Sequence, residues 1–163
     1  MEITKSHSEY TKAGNGDITV KFKYVRIQGK EIADNTNYAK GIFSMCWNLI
    51  QQDVMDEEDA ALYREIDAWI AEMLPYPEPC MKQEKVICFF KTENYEEIGK
   101  LLAPAMWLLE KYNHPFYMVC TNFPGEIVYE DKYQVAVKVD DMEAVIEHQD
   151  SWTDNVPADR IQK

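Results

Sequence analysis

The sequence predicts an α+β fold: a mixed, mostly antiparallel sheet of about five or six strands, three main helices, and one compact domain with an acidic C-terminal tail. Three observations carry that expectation. Apolar residues recur with period two near residues 17–27 and 133–139, and with helical spacing over 37–54, 57–74 and 95–112. The last strand signals follow one another without a helix between them, as hairpins do. The chain has 163 residues, 46% of them apolar, which suits a single core without disulfide staples. Residues 1–139 are expected to form the domain, and 140–163 an acidic, partly helical segment, docked or flexible.

The elements follow in order. In DITVKFKYVRI, residues 17–27, Ile18, Val20, Phe22 and Tyr24 alternate with Thr19, Lys21 and Lys23, the pattern of a half-buried strand. Residues 3–10 are expected to pair with it. Gln28-Gly29-Lys30 reads as a turn, with Glu31-Ile32 beginning a short return strand. Ile42, Phe43, Cys46, Leu49, Ile50 and Val54 share one helical face, capped by Asn35 or Thr36. The next helix spans 57–74, with Asp56 as N-cap, Glu57, Glu58 and Asp59 in its first turn, and Leu62, Ile66, Trp69, Ile70 and Met73 as its apolar stripe. Pro75, Pro77 and Pro79 predict an extended connector.

KVICFFK, residues 85–91, is a strand buried on both faces. Asn94 and Glu97 have capping-box spacing ahead of a third helix, which Pro104 should kink or split. Residues 116–121 form another strand, and a right-handed crossover joins it to 85–91. Asn122-Phe123-Pro124-Gly125 turns the chain into a hairpin, 127–129 and 133–139, and a short helix is expected over 142–148.

Charge is the most unusual property. The chain carries 29 acidic and 17 basic side chains, a formal net charge of −12. Residues 1–50 hold seven basic and five acidic side chains, and residues 51–163 hold ten and 24. Direct non-specific nucleic-acid binding is therefore not expected, nor is attraction to anionic membranes. No apolar run approaches membrane-span length, and Met1–Tyr10 is too polar for a signal peptide. Cys46, Cys80, Cys88 and Cys120 form no C-x-x-C pair. Reduced thiols in a cytoplasmic protein are the expectation.

Sequence signatures of catalysis are absent. No phosphate-cradling glycine loop, Rossmann fingerprint, zincin motif or nucleophile elbow occurs, so neither a cofactor nor a catalytic residue is expected. His114 and Cys120 suggest a thiolate–imidazole pair on paper. Their settings, a helix stop and an apolar strand, argue for structural roles.

The acidic residues form two groups. In the helical group, residues 51–78 hold nine carboxylates against Arg64 alone, and Glu58, Glu65 and Glu72 repeat every seven residues along one outward side. In the tail, Asp140, Asp141, Glu143, Glu147, Asp150, Asp154 and Asp159 occur with no Lys or Arg between them, and Trp152 stands among them as an anchoring aromatic. A tail folded beside the helix would give one large negative surface.

These features define the expected function: a non-enzymatic binding protein that places ordered carboxylates where a partner's basic groove expects phosphates. Its partner-binding residues are Asp56, Glu57, Glu58, Glu65, Glu72, Asp140, Asp141, Glu143, Glu147, Asp150 and Trp152. By compositional analogy, the class includes nucleic-acid-mimicking inhibitors that phages and mobile elements direct against restriction or CRISPR nucleases. The competing expectation is a small metal-dependent enzyme or ligand-binding domain using carboxylates near Asp140, with Asp141 and Glu143 as further ligands for a divalent cation.

Overall fold

The computed structural model describes residues 22–32, 39–75, 77–81 and 85–151. The expected strand over 3–10, the first half of that over 17–27, the caps Asn35 and Thr36, and Trp152 lie outside them. The elements are β1 (Tyr24–Ile32), β2 (Ala39–Gly41), α1 (Ile42–Gln51), α2 (Glu57–Met73), α3 (Glu78–Met81), β3 (Val86–Lys91), a 3-10 turn (Thr92–Asn94) and α4 (Tyr95–Lys111). They continue with β4 (Tyr117–Thr121), β5 (Glu126–Glu130), β6 (Gln134–Lys138), α5 (Met142–Val145) and β7 (His148–Ser151). The class is α+β with three main helices. Among the described residues the sheet has seven strands, in the order β5-β6-β3-β1-β4-β7 with β2 beside β1.

Every pairing among the described strands is antiparallel, where a mixed sheet was expected. β3 and β4 do run in the same sense on either side of α4, but β1 lies between them and pairs with both. A crossover helix therefore did not produce a parallel pair.

One connection determines the sheet's shape. Only residues 122–125 join β4 to β5, although β1, β3 and β6 lie between them and both strands run the same way. In a flat sheet, four strand spacings of about 4.8 Å plus a strand's length would separate Thr121 from Glu126 by more than ~20 Å. Five residues of extended chain reach at most about 18 Å. The sheet must therefore coil, bringing the end of β4 over towards the start of β5.

Coiling gives the sheet two buried faces. On one, Val25, Ile27, Phe90, Met118 and Cys120 pack with α1, α2 and α4. On the other, Ile87, Phe89, Val119, Val135 and Val137 pack with Val139, Met142, Val145 and Ile146. This second core explains the continuous apolar runs in β3 and β4: neither face is left to water.

Several local expectations change for physical reasons. Gly29 is not in a turn but inside β1. A Cβ there would stand 2.6 Å from the Met45 sulfur, so glycine lets α1 close onto the strand. Phe22, just before β1, packs on the helix side as its spacing predicts, but within β1 Val25 and Ile27 face the helices and Tyr24 packs on the opposite face. α1 begins at Ile42 after Gly41, and ends at Gln51 rather than near Val54, which is exposed.

Asn94 does not cap α4; its side chain donates to the Lys132 carbonyl instead. α4 continues through Pro104 as one helix. Among the prolines, α3 forms where an extended connector was expected, since Pro79 falls at a first-turn position that needs no amide donor. The helix expected over 142–148 ends at Val145, and His148–Ser151 form edge strand β7 beside β4.

Candidate functional site

The acidic helix is held at its N-terminus. Asp56 caps α2, its side chain accepting from the Asp59 amide at 2.8 Å. Asp59 turns inward, 6% exposed, and accepts from the Tyr112 hydroxyl and the Lys111 ammonium, the latter at 2.8 Å. The Asp56 amide in turn donates to the Tyr112 oxygen at 3.0 Å. The negatively charged start of α2 thus meets a cation at the end of α4, and each charge complements its helix dipole. Asp56 and Asp59 are therefore engaged in folding as well as in charge.

Removing this contact has a defined consequence. Asp59→Ala should cost about 2 kcal/mol in urea unfolding at pH 7, because it takes the acceptor from a charge-assisted pair. The hydrogen bond to Asp59 raises the Lys111 pKa, and burial followed by the same carboxylate raises that of Tyr112 to about 12. Raised folded values stabilise fully below the unfolded ones, near pH 10, and the contribution disappears as pH rises through the folded values. The parent should lose stability in that alkaline window, and Asp59→Ala should show a flatter loss. Equal slopes would contradict the assigned contact.

Beyond the first turn, α2 presents an outward face. Glu57, Glu58, Glu65 and Glu72 are exposed, and none forms an ion pair among the described residues. Glu58, Glu65 and Glu72 lie about 10.5 Å apart along the axis and drift only slightly around it. Exposed Ala61 and Ala68 leave room between them. Arg64, also exposed, is the helix's single cation. Trp69 does not join the core as its spacing predicted; it is 55% exposed on this face, and Tyr63 takes its place inside against Trp47.

The tail carboxylates lie elsewhere. Met142, Val145 and Ile146 press against the second sheet face, whereas α2 covers the first. Asp150, on β7, stands opposite Met118 of the first face, so the described tail carboxylates are not gathered on one side of the sheet. Asp140 pairs with Lys85 at 3.2 Å, and Asp141 is exposed. Glu143 lies in α5. Glu147 accepts from the Thr121 hydroxyl at 3.1 Å and the Asn122 amide at 2.7 Å, tying the chain to the end of β4. Asp150 is on β7 beside His148, at 3.4 Å.

A second feature lies under α2. A partly open cavity of about 420 Å³ is bounded by β1, β3, the start of α1 and the C-terminal half of α2. Ile27, Ile70, Leu74, Val86 and Phe90 give it an apolar wall, and Arg26, Ser44, Asp67, Cys88 and Gln134 also line it. Arg26 occupies the gap where β2 and β3 diverge beside β1. It donates to the Cys88 carbonyl at 3.0 Å, the Ala39 carbonyl at 2.9 Å and Gln28 Oε1 at 3.0 Å. All three acceptors are neutral, and desolvation lowers its pKa to about 10. Arg26 belongs to no sequence motif. A charged residue between Val25 and Ile27 reads as ordinary strand alternation, and only the neighbouring strands enclose it.

Burial pushes the Cys120 thiol up to about 12, far from a thiolate, and His114 contacts the Pro115 carbonyl. No group of three or more His, Cys, Asp and Glu side chains suited to a metal occurs among the described residues. No described helix is long and apolar enough to cross a membrane. The fold and these features define an antiparallel α+β domain with an acidic helical face and an apolar cavity behind it. It matches no protein-family model, no curated protein and no solved structure.

Proposed function

We propose that the protein is a non-enzymatic acidic binding protein. Its α2 face would enter the basic groove of a nucleic-acid-processing partner, in the manner of nucleic-acid-mimicking nuclease inhibitors of the anti-restriction or anti-CRISPR type. The observation that carries the reading is a row of exposed carboxylates, without an ion pair among the described residues, on an anchored helix with a half-exposed tryptophan beside them. Carboxylates already neutralised by neighbouring cations would have little left to offer a partner. A rigid row loses little entropy on binding, and an exposed Trp supplies the apolar anchor that interface centres favour.

DNA-cleavage assays with a panel of purified restriction enzymes and Cas nucleases test this. Inhibition of a nuclease should weaken steeply as salt rises. The combined change Glu58→Lys, Glu65→Lys and Glu72→Lys should reduce it by about 100-fold or more, with unfolding stability close to the parent's because the positions are exposed. Trp69→Ala should reduce it by about tenfold. Inhibition indifferent to salt and to the three reversals would refute the acidic-helix reading, as would a panel in which no nuclease responds.

A further inference from the structure

The cavity behind α2 combines three observations. The first is its shape: about 420 Å³, mainly apolar, and within the range of small-molecule sites. The second is Arg26, whose guanidinium has five N–H donors and uses three on neutral acceptors. One donor on each terminal nitrogen is left over, and no carboxylate among the described residues pairs with the group. A sequestered cation without a counter-charge is costly, and an anion placed there relieves that cost.

The third observation is the start of α1. Gly41 provides no side-chain cap, and the first turn contains no acidic residue. Its leading amides therefore add a partial positive charge at the same place. The two features adjoin, since a Cβ on Gly41 would stand 3.4 Å from Arg26 Nη2 and 3.5 Å from Nη1.

We infer that this cavity binds a monoanionic carboxylate with an apolar body, its head between Arg26 and the first turn of α1 and its tail along Ile70, Leu74 and Phe90. A cavity of about 150 Å³ holds benzene, so this one accommodates a body of roughly 8–12 carbon atoms with some space unfilled. Asp67 shares the lining without pairing with Arg26, so a second negative charge on the ligand is disfavoured. This site is separate from the outward face of α2 and does not depend on the function proposed for it.

Titration of the full chain with octanoate, octanol and suberate, followed by amide NMR shifts and thermal unfolding, tests the inference. Octanoate should shift the amides of Arg26 and Ile42–Ser44 and raise the unfolding temperature. Octanol and the dicarboxylate should each bind about tenfold more weakly or not at all. Arg26→Gln should remove the preference for octanoate over octanol. Because Arg26 also joins β2 to β3, Ser44→Asp provides a second variant. Its carboxylate sits in the first turn of α1, where it favours the helix, and should weaken octanoate binding about tenfold in a folded protein. No saturable binding of octanoate, equal binding of octanol, shifts confined to other regions, or unchanged binding to Ser44→Asp would each overturn the assignment.

Discussion

Phe89→Ala is expected to lower the unfolding free energy by about 3–5 kcal/mol, the range for deleting a fully buried aromatic side chain. Phe89 is 1% exposed in the second core, which among the described residues contains six buried ones: Ile87, Phe89, Val119, Val135, Val137 and Val139. So small a cluster has few side chains able to collapse into the vacated volume, which favours the upper part of that range. The loss should be local before it is global. Residues 142–146 rest on this face through Met142, Val145 and Ile146, so their amides should exchange faster in the variant than those of α4. Urea unfolding and hydrogen exchange measure the two effects. Phe123→Ala is the control: Phe123 is 78% exposed, and its removal should change stability by no more than about 0.5 kcal/mol. A Phe89→Ala cost as small as that of the control would contradict a core on the coiled side of the sheet.

Asp131→Ala should cost about 3 kcal/mol near neutral pH, through the hairpin that closes the sheet's edge. Its Oδ1 accepts from the Tyr133 and Gln134 amides at 2.9 and 3.0 Å. Its Oδ2 accepts from the Tyr129 hydroxyl at 2.8 Å and the Gln134 side chain at 3.1 Å. Gln134 also donates to the Pro75 carbonyl at 2.9 Å, so the loss should reach the chain that follows α2. Burial pushes the Asp131 pKa up, but these hydrogen bonds outweigh it and hold the folded value below the usual 3.8. A depressed folded value stabilises fully above the unfolded one and is lost as pH falls through the folded one. The difference between parent and variant should therefore be largest at neutral pH and shrink below pH ~3.8, as urea titrations at several pH values will show. A difference that grows on acidification would contradict the assigned hydrogen bonds.

The acidic helix was legible because its signals are local. Asp56 precedes a run of helix-favouring residues, the first turn is acidic, and the seven-residue spacing of glutamates needs no partner to be read. Trp69 was misplaced because its spacing fits two helical faces equally well, and Tyr63 filled the inward position. Asp59 belongs to the same acidic run as Glu57 and Glu58. Only the approach of Lys111 and Tyr112, more than fifty residues away in the chain, turns it from a surface charge into an anchor. Arg26 is similar: its surroundings come from β2 and β3, and no spacing within β1 encodes them.

By itself, the sequence determined the α+β class, the three long helices, the β5–β6 hairpin and the two acidic stretches. Each depends on residue periodicity, capping or composition within about twenty neighbouring residues. Tertiary structure alone decided the all-antiparallel strand order, the coiling and the second core. Those depend on which distant strands pair, and β1 provides hydrogen-bonding edges that β3 and β4 both satisfy. A strand with two open edges carries no local mark of its eventual neighbours. Burial and hydrogen bonding across the whole chain select them, and the same selection left Arg26 beside an apolar cavity and the α2 glutamates facing outward.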